Sequence, residues 1–218
     1  MSLATYDDLK AAVGAELNRA DLATVVPDFI ARFEADARRK LRDWLRFSVS
    51  LTNLTGDTAV AATVSEVLGV AMNDGANGAN NRPLMILSRE DYQRFLESNS
   101  NAASPQAVFV DFDADAPSTT LRFWPPIPSG SPVANLRVEA VKVLPSLSAT
   151  QTTNALLREA PDLYLFGSCI EAATYLQHDE RIPEWRDQVR DGYRELRIQS
   201  ERRIYGAQPH PRTLPVVF

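Results

Sequence analysis

Two groups of side chains in this 218-residue sequence are of the types that bind metals or transfer protons. The first is His178-Asp179-Glu180, which follows a largely apolar stretch. Successive residues of a helix diverge by about 100°, so these three side chains cannot converge on one ion within a continuous helix. We therefore favour a turn between two helices, in which Asp179 or Glu180 caps the second helix at its positive end.

The second group lies in "FVDFDADAP", where three aspartates occupy alternate positions: Asp111, Asp113 and Asp115. On a strand they share one face and could bind a hard cation such as calcium. No glutamate or glycine follows at the spacing of a calcium-binding loop, so we favour a solvated loop face. A metal-dependent hydrolase that uses Asp111, Asp113 or His178 stays as an alternative.

Other catalytic and nucleotide-binding patterns are absent from the sequence. It contains no GxxxxGK[ST], GxGxxG, GxSxG or HExxH motif. Two histidines in the whole chain leave little for a zinc site or a catalytic triad. The lone cysteine, Cys169, excludes an internal disulfide and favours a reducing compartment, and its apolar neighbours predict a packed, unreactive thiol. We therefore predict a non-enzyme without a cofactor.

The composition is that of a globular protein with a mildly acidic surface. Hydrophobic residues make up 44% of the sequence, and the formal net charge is −5. That charge argues against binding through nucleic-acid phosphates, although DNA could pass such a surface without adhering. The sequence contains no run of about 18 apolar residues, so it predicts no membrane-spanning helix. The opening "MSLATYDDLK" lacks the pattern of a secretion signal.

Helical patterns occupy both ends of the sequence, and strand patterns occupy the middle. We predict an N-terminal helix pair over 1–46, a β-rich insertion over 47–150, a C-terminal helix pair over 151–205 and an extended arm over 206–218. Thr5 and Asp8 predict a capping box for the first helix, and Ser88 and Asp91 cap a short helix inside the insertion. The predicted fold class is α+β, mainly a helical bundle of two N-terminal and two C-terminal long helices with a small β-rich region inserted.

The last long helix carries two rows of opposite charge. The acidic row is Asp187, Asp191 and Glu195, and the basic row is Arg186, Arg190 and Arg194. One interpretation is a solvated helix with charge on every side. The other is a self-complementary surface, on which the acidic row of one copy meets the basic row of the next copy in a head-to-tail ring. The sequence alone leaves both interpretations open.

The preceding helix carries a half-polar stripe. Its members, at helical spacing, are Tyr164, Ser168, Glu171, Tyr175 and His178. The stripe faces either solvent at the edge of the bundle or a second subunit, and tyrosine at a half-polar position is typical of interfaces. We favour contacts between subunits for Tyr164, Glu171 and Tyr175.

The basic run "RRKLR", residues 38–42, is a candidate nucleic-acid patch. Acidic residues lie four positions from several of these basic residues, as in the pair Glu34/Arg38, and can form ion pairs with them on the helix. A DNA-binding or packaging-associated regulatory protein is therefore an alternative function, and the negative net charge argues against it.

The C-terminal arm ends in an apolar cluster. The stretch "AQPHPRTLPVVF" has three prolines and no helical period, which predicts an extended segment. Apolar side chains at the end of a polar arm are costly in water, at roughly 25 cal/mol per Å². We expect docking on a partner rather than a frayed terminus. The residues predicted to dock are His210, Arg212, Leu214, Val216, Val217 and Phe218.

Several segments resemble the head-to-tail adaptor proteins of tailed bacteriophages, which join the portal to the tail. These segments are "TYDDLKAAVGAELNR", "VVPDFIARFEADARRKLR", "SREDYQRF", "LRFWPPIPSG" and "TNALLREAPDLYLFGSCIEAATYLQHDERIPEW". In the last segment, the matching positions are Leu156, Leu157, Ala160, Pro161, Asp162, Leu163, Tyr164, Gly167, Glu171, Ala172, Ala173, Tyr175, Leu176 and Asp179. Residues 55–83 depart from the family pattern.

The resemblance implies a structural protein that performs no catalysis. It implies a dodecameric ring docked under the portal, with a downstream tail or nozzle protein on its far side. Double-stranded DNA would pass through the centre without sequence-specific binding. The implied location is the virion, at the phage neck, after assembly in the host cytoplasm and without contact with a membrane. In this arrangement the arm would dock on the portal, and the charge rows would join neighbouring subunits.

Overall fold

A computed structural model gives the fold of the chain. The residues it describes are 3–52, 54, 56–60, 64–73, 81–97, 101, 103–112, 119–127, 135–176 and 180–205. The chain divides into two compact units. The helical unit joins the segment up to Trp44 with the segment from Leu144 onward, and the β unit is Leu45–Val143.

The described residues form helices in both units and strands in the β unit. The six α-helices are α1 Tyr6–Leu17, α2 Val26–Lys40, α3 Arg89–Glu97, α4 Ala155–Glu159, α5 Pro161–Leu176 and α6 Ile182–Tyr205. The eight strands are β1 Arg46–Leu51, β2 Thr58–Val60, β3 Val64–Asn73, β4 Asn81–Pro83, β5 Met85–Leu87, β6 Ala107–Phe112, β7 Thr119–Trp124 and β8 Leu136–Lys142. A short 3-10 helix, Ala20–Leu22, lies between α1 and α2.

The β structure is more extensive than its sequence pattern predicted. The strands form two four-stranded sheets, ordered β1-β8-β3-β4 and β2-β7-β6-β5. The prediction of a mainly helical bundle with a small inserted β-rich region is therefore wrong, and the fold is a mixed α+β fold. Strands β4 and β5 were missed because three residues each are too few to show the alternation that marks a strand.

Both sheets of the β unit contribute to one apolar core. Burial alternates along β8, where Leu136, Val138 and Ala140 are buried and the residues between them are exposed. These side chains pack with Leu121 and Phe123 of β7 and with further apolar residues of the unit. Pairing of β1 with β8 is antiparallel in continuous register. The alternation follows from the two-residue period of a strand, which turns every second side chain inward.

Helix α3 covers a second, smaller apolar cluster of the β unit. Tyr92 stacks on Phe109 of β6, with ring centroids 4.9 Å apart. The start of α3 is capped as its sequence predicted, because the Asp91 backbone N–H donates to Ser88 Oγ at 3.1 Å.

The capping box predicted for α1 is confirmed. The Asp8 N–H donates to Thr5 Oγ1 at 3.2 Å, and the Thr5 N–H donates to Asp8 Oδ2 at 3.1 Å. The helix ends at Asn18, whose φ of 52° is left-handed. Asparagine tolerates this conformation better than most residues because its short polar side chain bonds locally.

Helix α5 packs closely against α2 and α6. The Phe33 ring of α2 lies against Gly167, where a Cβ atom would come within 2.2 Å of the ring. On the other side, a Cβ at Gly192 of α6 would lie 3.2 Å from Leu163. Both glycines therefore allow neighbouring helices to approach more closely than a larger residue would permit.

Candidate functional site

The charge rows of α6 lie on its exposed surface. All six members are exposed: Arg186, Asp187, Arg190, Asp191, Arg194 and Glu195. Arg190 pairs with Asp187 at 3.1 Å along the same helix, and it approaches Asp191 at 4.0 Å. Exposed pairs of this kind contribute little to folding stability, about 0–1 kcal/mol, so they can exchange partners at low cost. The surface is therefore available to a second macromolecule.

The buried side of α6 fixes which face it presents to solvent. Trp185 is 1% exposed, and its Nε1–H donates to Glu16 Oε1 of α1 at 3.4 Å. Arg181 lies over the Trp185 ring and donates to the Glu16 backbone carbonyl at 2.6 Å. Near the middle of α6, the Tyr193 hydroxyl donates to Asp36 of α2 at 3.4 Å. These contacts set the rotation of α6 and therefore the direction of both charge rows.

The half-polar stripe of α5 turns from the core to the surface along the helix. Tyr164 and Ser168 are completely buried, Glu171 is half-buried and Tyr175 is 55% exposed. The Tyr175 ring also packs on Phe29 of α2, with centroids 5.5 Å apart. Tyr175 and Glu171 are therefore within reach of a partner, and residue 178 lies outside the described residues.

Tyr164 was predicted to contact another subunit, but its side chain lies in the core of its own chain. Its hydroxyl donates to Glu34 Oε1 at 2.9 Å and accepts from Asn154 Nδ2 at 2.7 Å. Burial raises the pKa of the Tyr164 phenol far above its usual range, so the hydroxyl keeps its proton for Glu34. Tyr164 is completely buried within its own chain, so its side chain is not exposed to a second subunit in this structure. Helical spacing alone cannot distinguish a polar edge from a buried polar contact.

Sequence reasoning missed the role of Glu34, which is 1% exposed. Besides Tyr164, its Oε1 accepts from the Leu147 N–H at 2.9 Å. Arg38 lies 3.5 Å from Glu34 Oε2, donates to the Leu144 carbonyl at 3.1 Å and also donates to Ser146 Oγ. The pair Glu34/Arg38 therefore holds the segment that leads into α4. Its spacing of four is identical to that of a surface pair, so the sequence carries no signal of its burial.

The basic run at the end of α2 is engaged within the chain. Besides Arg38, Lys40 pairs with Asp36 at 2.8 Å, and Arg39 lies 3.8 Å from the same carboxylate. Arg203 of α6 donates to the backbone carbonyl of Trp44 at 3.5 Å. These contacts interrupt the continuous cationic surface that a phosphate-binding patch requires.

The candidate metal and acid–base groups do not form a metal site in the described part of the chain. Asp111 is held by Arg122 at 3.0 Å and Arg89 at 3.5 Å. That contact with Asp111 raises the pKa of the Arg122 guanidinium. Asp113, Asp115, His178 and Asp179 lie outside the described residues. Within the described residues, no group of three or more His, Cys, Asp or Glu side chains could hold a metal ion.

Two further expectations concern Cys169 and the membrane. Cys169 is completely buried in α5, as its apolar neighbours predicted. No helix among the described residues is both long and apolar enough to cross a membrane.

The predicted docking arm lies outside the described residues. This applies to all six of its predicted contact residues: His210, Arg212, Leu214, Val216, Val217 and Phe218. The last helix that the structure describes, α6, ends at Tyr205, immediately before this segment.

Comparison with known proteins gives one family. The model of the SU10 adaptor protein family matches residues 4–212, which is nearly the whole chain and includes both units. A search of curated proteins returned no match. The chain belongs to the SU10 adaptor protein family, a family of phage head-to-tail adaptors.

Proposed function

We propose that this protein is the ring-forming adaptor of a phage head-to-tail connector. Copies of the chain assemble as a ring that docks on the portal, attaches the next tail component and lines the channel through which DNA leaves. The observation that carries this proposal is the family match over residues 4–212. The protein then resides in the virion, after assembly in the host cytoplasm.

The exposed surface of α6 supports a ring. Its acidic and basic rows are adjacent, solvent-exposed and each about two helical turns long. Opposite charges on adjacent faces allow one surface to be complementary to a copy of itself, and a head-to-tail contact of this kind closes into a ring when the rotation allows it. Tyr175 and Glu171 of α5 provide a half-polar contact of the same interface.

The C-terminal arm supports docking on the portal. It carries apolar side chains at its end, and ordering a single arm costs conformational entropy. A ring presents many arms at high effective concentration, so weak individual contacts give strong attachment of the whole ring.

The negative charge of the chain is compatible with a DNA channel. A formal net charge of −5 repels phosphates at long range, so DNA in the centre of a ring would move without being held. Cations at the end of α2 are occupied by Asp36 and by backbone and side-chain oxygens of the same unit, which reduces the attraction further.

The decisive experiment is native mass spectrometry of the protein mixed with the portal ring of the same phage. We expect a complex with about one adaptor copy per portal subunit. A well-folded portal that forms no complex would contradict the proposal. Titration of the protein with duplex DNA at several salt concentrations tests the regulatory alternative, which requires an affinity that falls steeply with salt.

A further inference from the structure

Within the β unit, strand β1 forms an open edge of its sheet. It is the first strand in the order β1-β8-β3-β4, and among the described strands it pairs with β8 alone. The Lys142 N–H donates to the Leu45 carbonyl at 3.0 Å, and this pair continues the antiparallel register of β1 and β8. Hydrogen-bonded pairs alternate along such a ladder, so the N–H and C=O groups of Ser48 and Ser50 point away from β8. An edge of this kind accepts an added strand.

The side chains of β1 differ in type between the two faces of its sheet. Phe47, Val49 and Leu51 are half-buried and pack against the core of the β unit. Ser48 and Ser50 are exposed on the opposite face. The apolar side chains at this edge are therefore incompletely covered, and a neighbouring strand with the same alternation would complete their burial.

A second copy of β1 has this alternation and can pair with the first copy about a two-fold axis. Hydrogen bonds across the edge must join residues whose backbone groups point outward, so the serines of one copy must face the serines of the other. Because the side-chain period of a strand is two, every antiparallel register of this kind also places apolar residues opposite apolar residues. The cores of both copies then lie on the same side of one continuous sheet.

Charged residues on the serine face of the sheet select one register. Glu139 of β8 is opposite Ser48, Arg137 is opposite Ser50, and both charged side chains are exposed. If either serine faced its own counterpart in the second copy, two like charges would share a row across the strands. If Ser48 faces Ser50 of the second copy, each row has Glu139 at one end and Arg137 at the other, with serines between them. Opposite charges across the contact favour this register.

The Arg137 side chain already extends toward this edge. Its Nε–H donates to Ser48 Oγ at 2.9 Å, so the guanidinium crosses from β8 to β1 on the serine face. A guanidinium has further N–H groups. In the favoured register, the next hydroxyl across the contact is that of Ser50 of the second copy, which can accept from them. The exposed serines are short enough to leave room for this crossing.

We propose that two copies of the free protein pair through β1 as antiparallel strands about a two-fold axis at Val49. Phe47 then faces Leu51 of the second copy. Ser48 faces Ser50. The pairing covers an edge that is otherwise open to unspecific strand addition. Because a contact limited to one strand edge is smaller than a standard interface, the dimer is weak and depends on concentration. It uses the β unit alone, and its two-fold symmetry distinguishes it from the head-to-tail contact proposed for α6.

Disulfide trapping of the free full-length chain tests the register. In Val49→Cys the two new thiols face each other at a non-hydrogen-bonded pair, where opposite Cα atoms are about 4.5 Å apart and a disulfide can form. We expect mild oxidation of a concentrated solution to give a covalent dimer on a non-reducing gel. Ser50→Cys is the matched control, because its two thiols lie two positions apart, with Cα atoms about 7–8 Å apart. It should crosslink at least about tenfold more slowly, although Ser50 is the more exposed residue. The native Cys169 is completely buried and is common to both variants.

Ser48→Pro tests the backbone pairing. It removes an N–H that points away from β8, and proline is tolerated on an edge strand at such a position. Added to Val49→Cys, it should remove the crosslink while the far-UV circular dichroism stays unchanged. Equal crosslinking of Val49→Cys and Ser50→Cys would overturn the proposal, and so would a crosslink that persists undiminished in the folded Ser48→Pro chain. Portal binding is measured separately by native mass spectrometry, so failure of the β1 pairing leaves the proposed function intact.

Discussion

The Tyr164 hydroxyl forms hydrogen bonds with two buried polar side chains, Glu34 and Asn154. It donates to Glu34 at 2.9 Å and accepts from Asn154 at 2.7 Å. Asn154 in turn accepts from the Leu157 N–H at 2.9 Å, which caps α4, and donates to the Pro145 carbonyl at 2.9 Å. One phenol therefore links α2, the segment before α4 and α5. A network of this kind specifies one arrangement of its elements when every member is satisfied.

Tyr164→Phe should lower the free energy of unfolding by about 1–3 kcal/mol, because the ring is retained while Glu34 and Asn154 each lose a partner in the core. Urea denaturation followed by circular dichroism measures the change. Tyr175→Phe is the matched control, since Tyr175 is 55% exposed, and it should change stability by less than about 0.5 kcal/mol. Equal effects of the two substitutions would show that the hydroxyl of Tyr164 has no special role.

At the scale of the elements, the contact between α2 and α5 depends on the absence of a side chain at residue 167. The Phe33 ring occupies the space in which a Cβ would lie, at a separation of 2.2 Å. The ring also packs edge-on against Tyr164, with centroids 5.2 Å apart. It cannot move away without disturbing the buried network. The distance between these two helices is therefore set by one glycine.

Gly167→Ala should destabilise the protein by about 1–3 kcal/mol, because the added methyl group overpacks the contact with Phe33. Thermal and urea unfolding measure the effect. Gly14→Ala is the matched control in α1, since nothing lies within 4 Å of its added Cβ. That substitution should raise stability by up to about 1 kcal/mol, as expected for Gly replaced by Ala in a helix. Two changes of the same sign would contradict the role assigned to Gly167.

The charge rows give a prediction for the assembled protein. Replacing Arg190 and Arg194 by Glu should weaken ring formation, because like charges then face each other across the proposed contact. Adding Asp187→Arg and Asp191→Arg should partly restore it. Native mass spectrometry with the portal ring measures the number of copies bound. If the compensating changes restore nothing, the rows are a solvated helix face.

The sequence predicted those elements whose signals are local. The capping box of Thr5 and Asp8, the cap at Ser88 and the burial of Cys169 all follow from neighbouring residues. Features that depend on distant parts of the chain were missed. Buried Glu34 accepts a hydrogen bond from the Leu147 N–H, which is 113 residues away, and strands β4 and β5 are defined by their partners rather than by their own pattern. Helical spacing placed Tyr164 on the half-polar stripe of α5, but it could not show that α2 buries this end of the helix.

At the scale of the whole molecule, the family match covers nearly all of both units and ends at residue 212, about halfway along the C-terminal arm. The proposed function requires the three parts to act differently. Each of the two units has described contacts within itself, whereas the proposed function assigns the arm to contacts with the portal. The arm can therefore be removed as a test without removing the residues that form either core.

Ending the chain after Gly206 should abolish binding to the portal and leave the fold intact. The shortened chain keeps the core side chains that the structure describes in each unit, so we expect the far-UV circular dichroism and the cooperative unfolding transition to persist. Binding should be lost rather than halved, because every copy in a ring loses its arm and the gain from many linked contacts disappears at once. The affinity is measured by binding of the protein to surface-immobilised portal.

A chain in which residues 207–218 are replaced by a Gly/Ser segment of equal length controls for length and should also fail to bind. A shortened chain that binds the portal with unchanged affinity would place the portal contact on the two folded units instead.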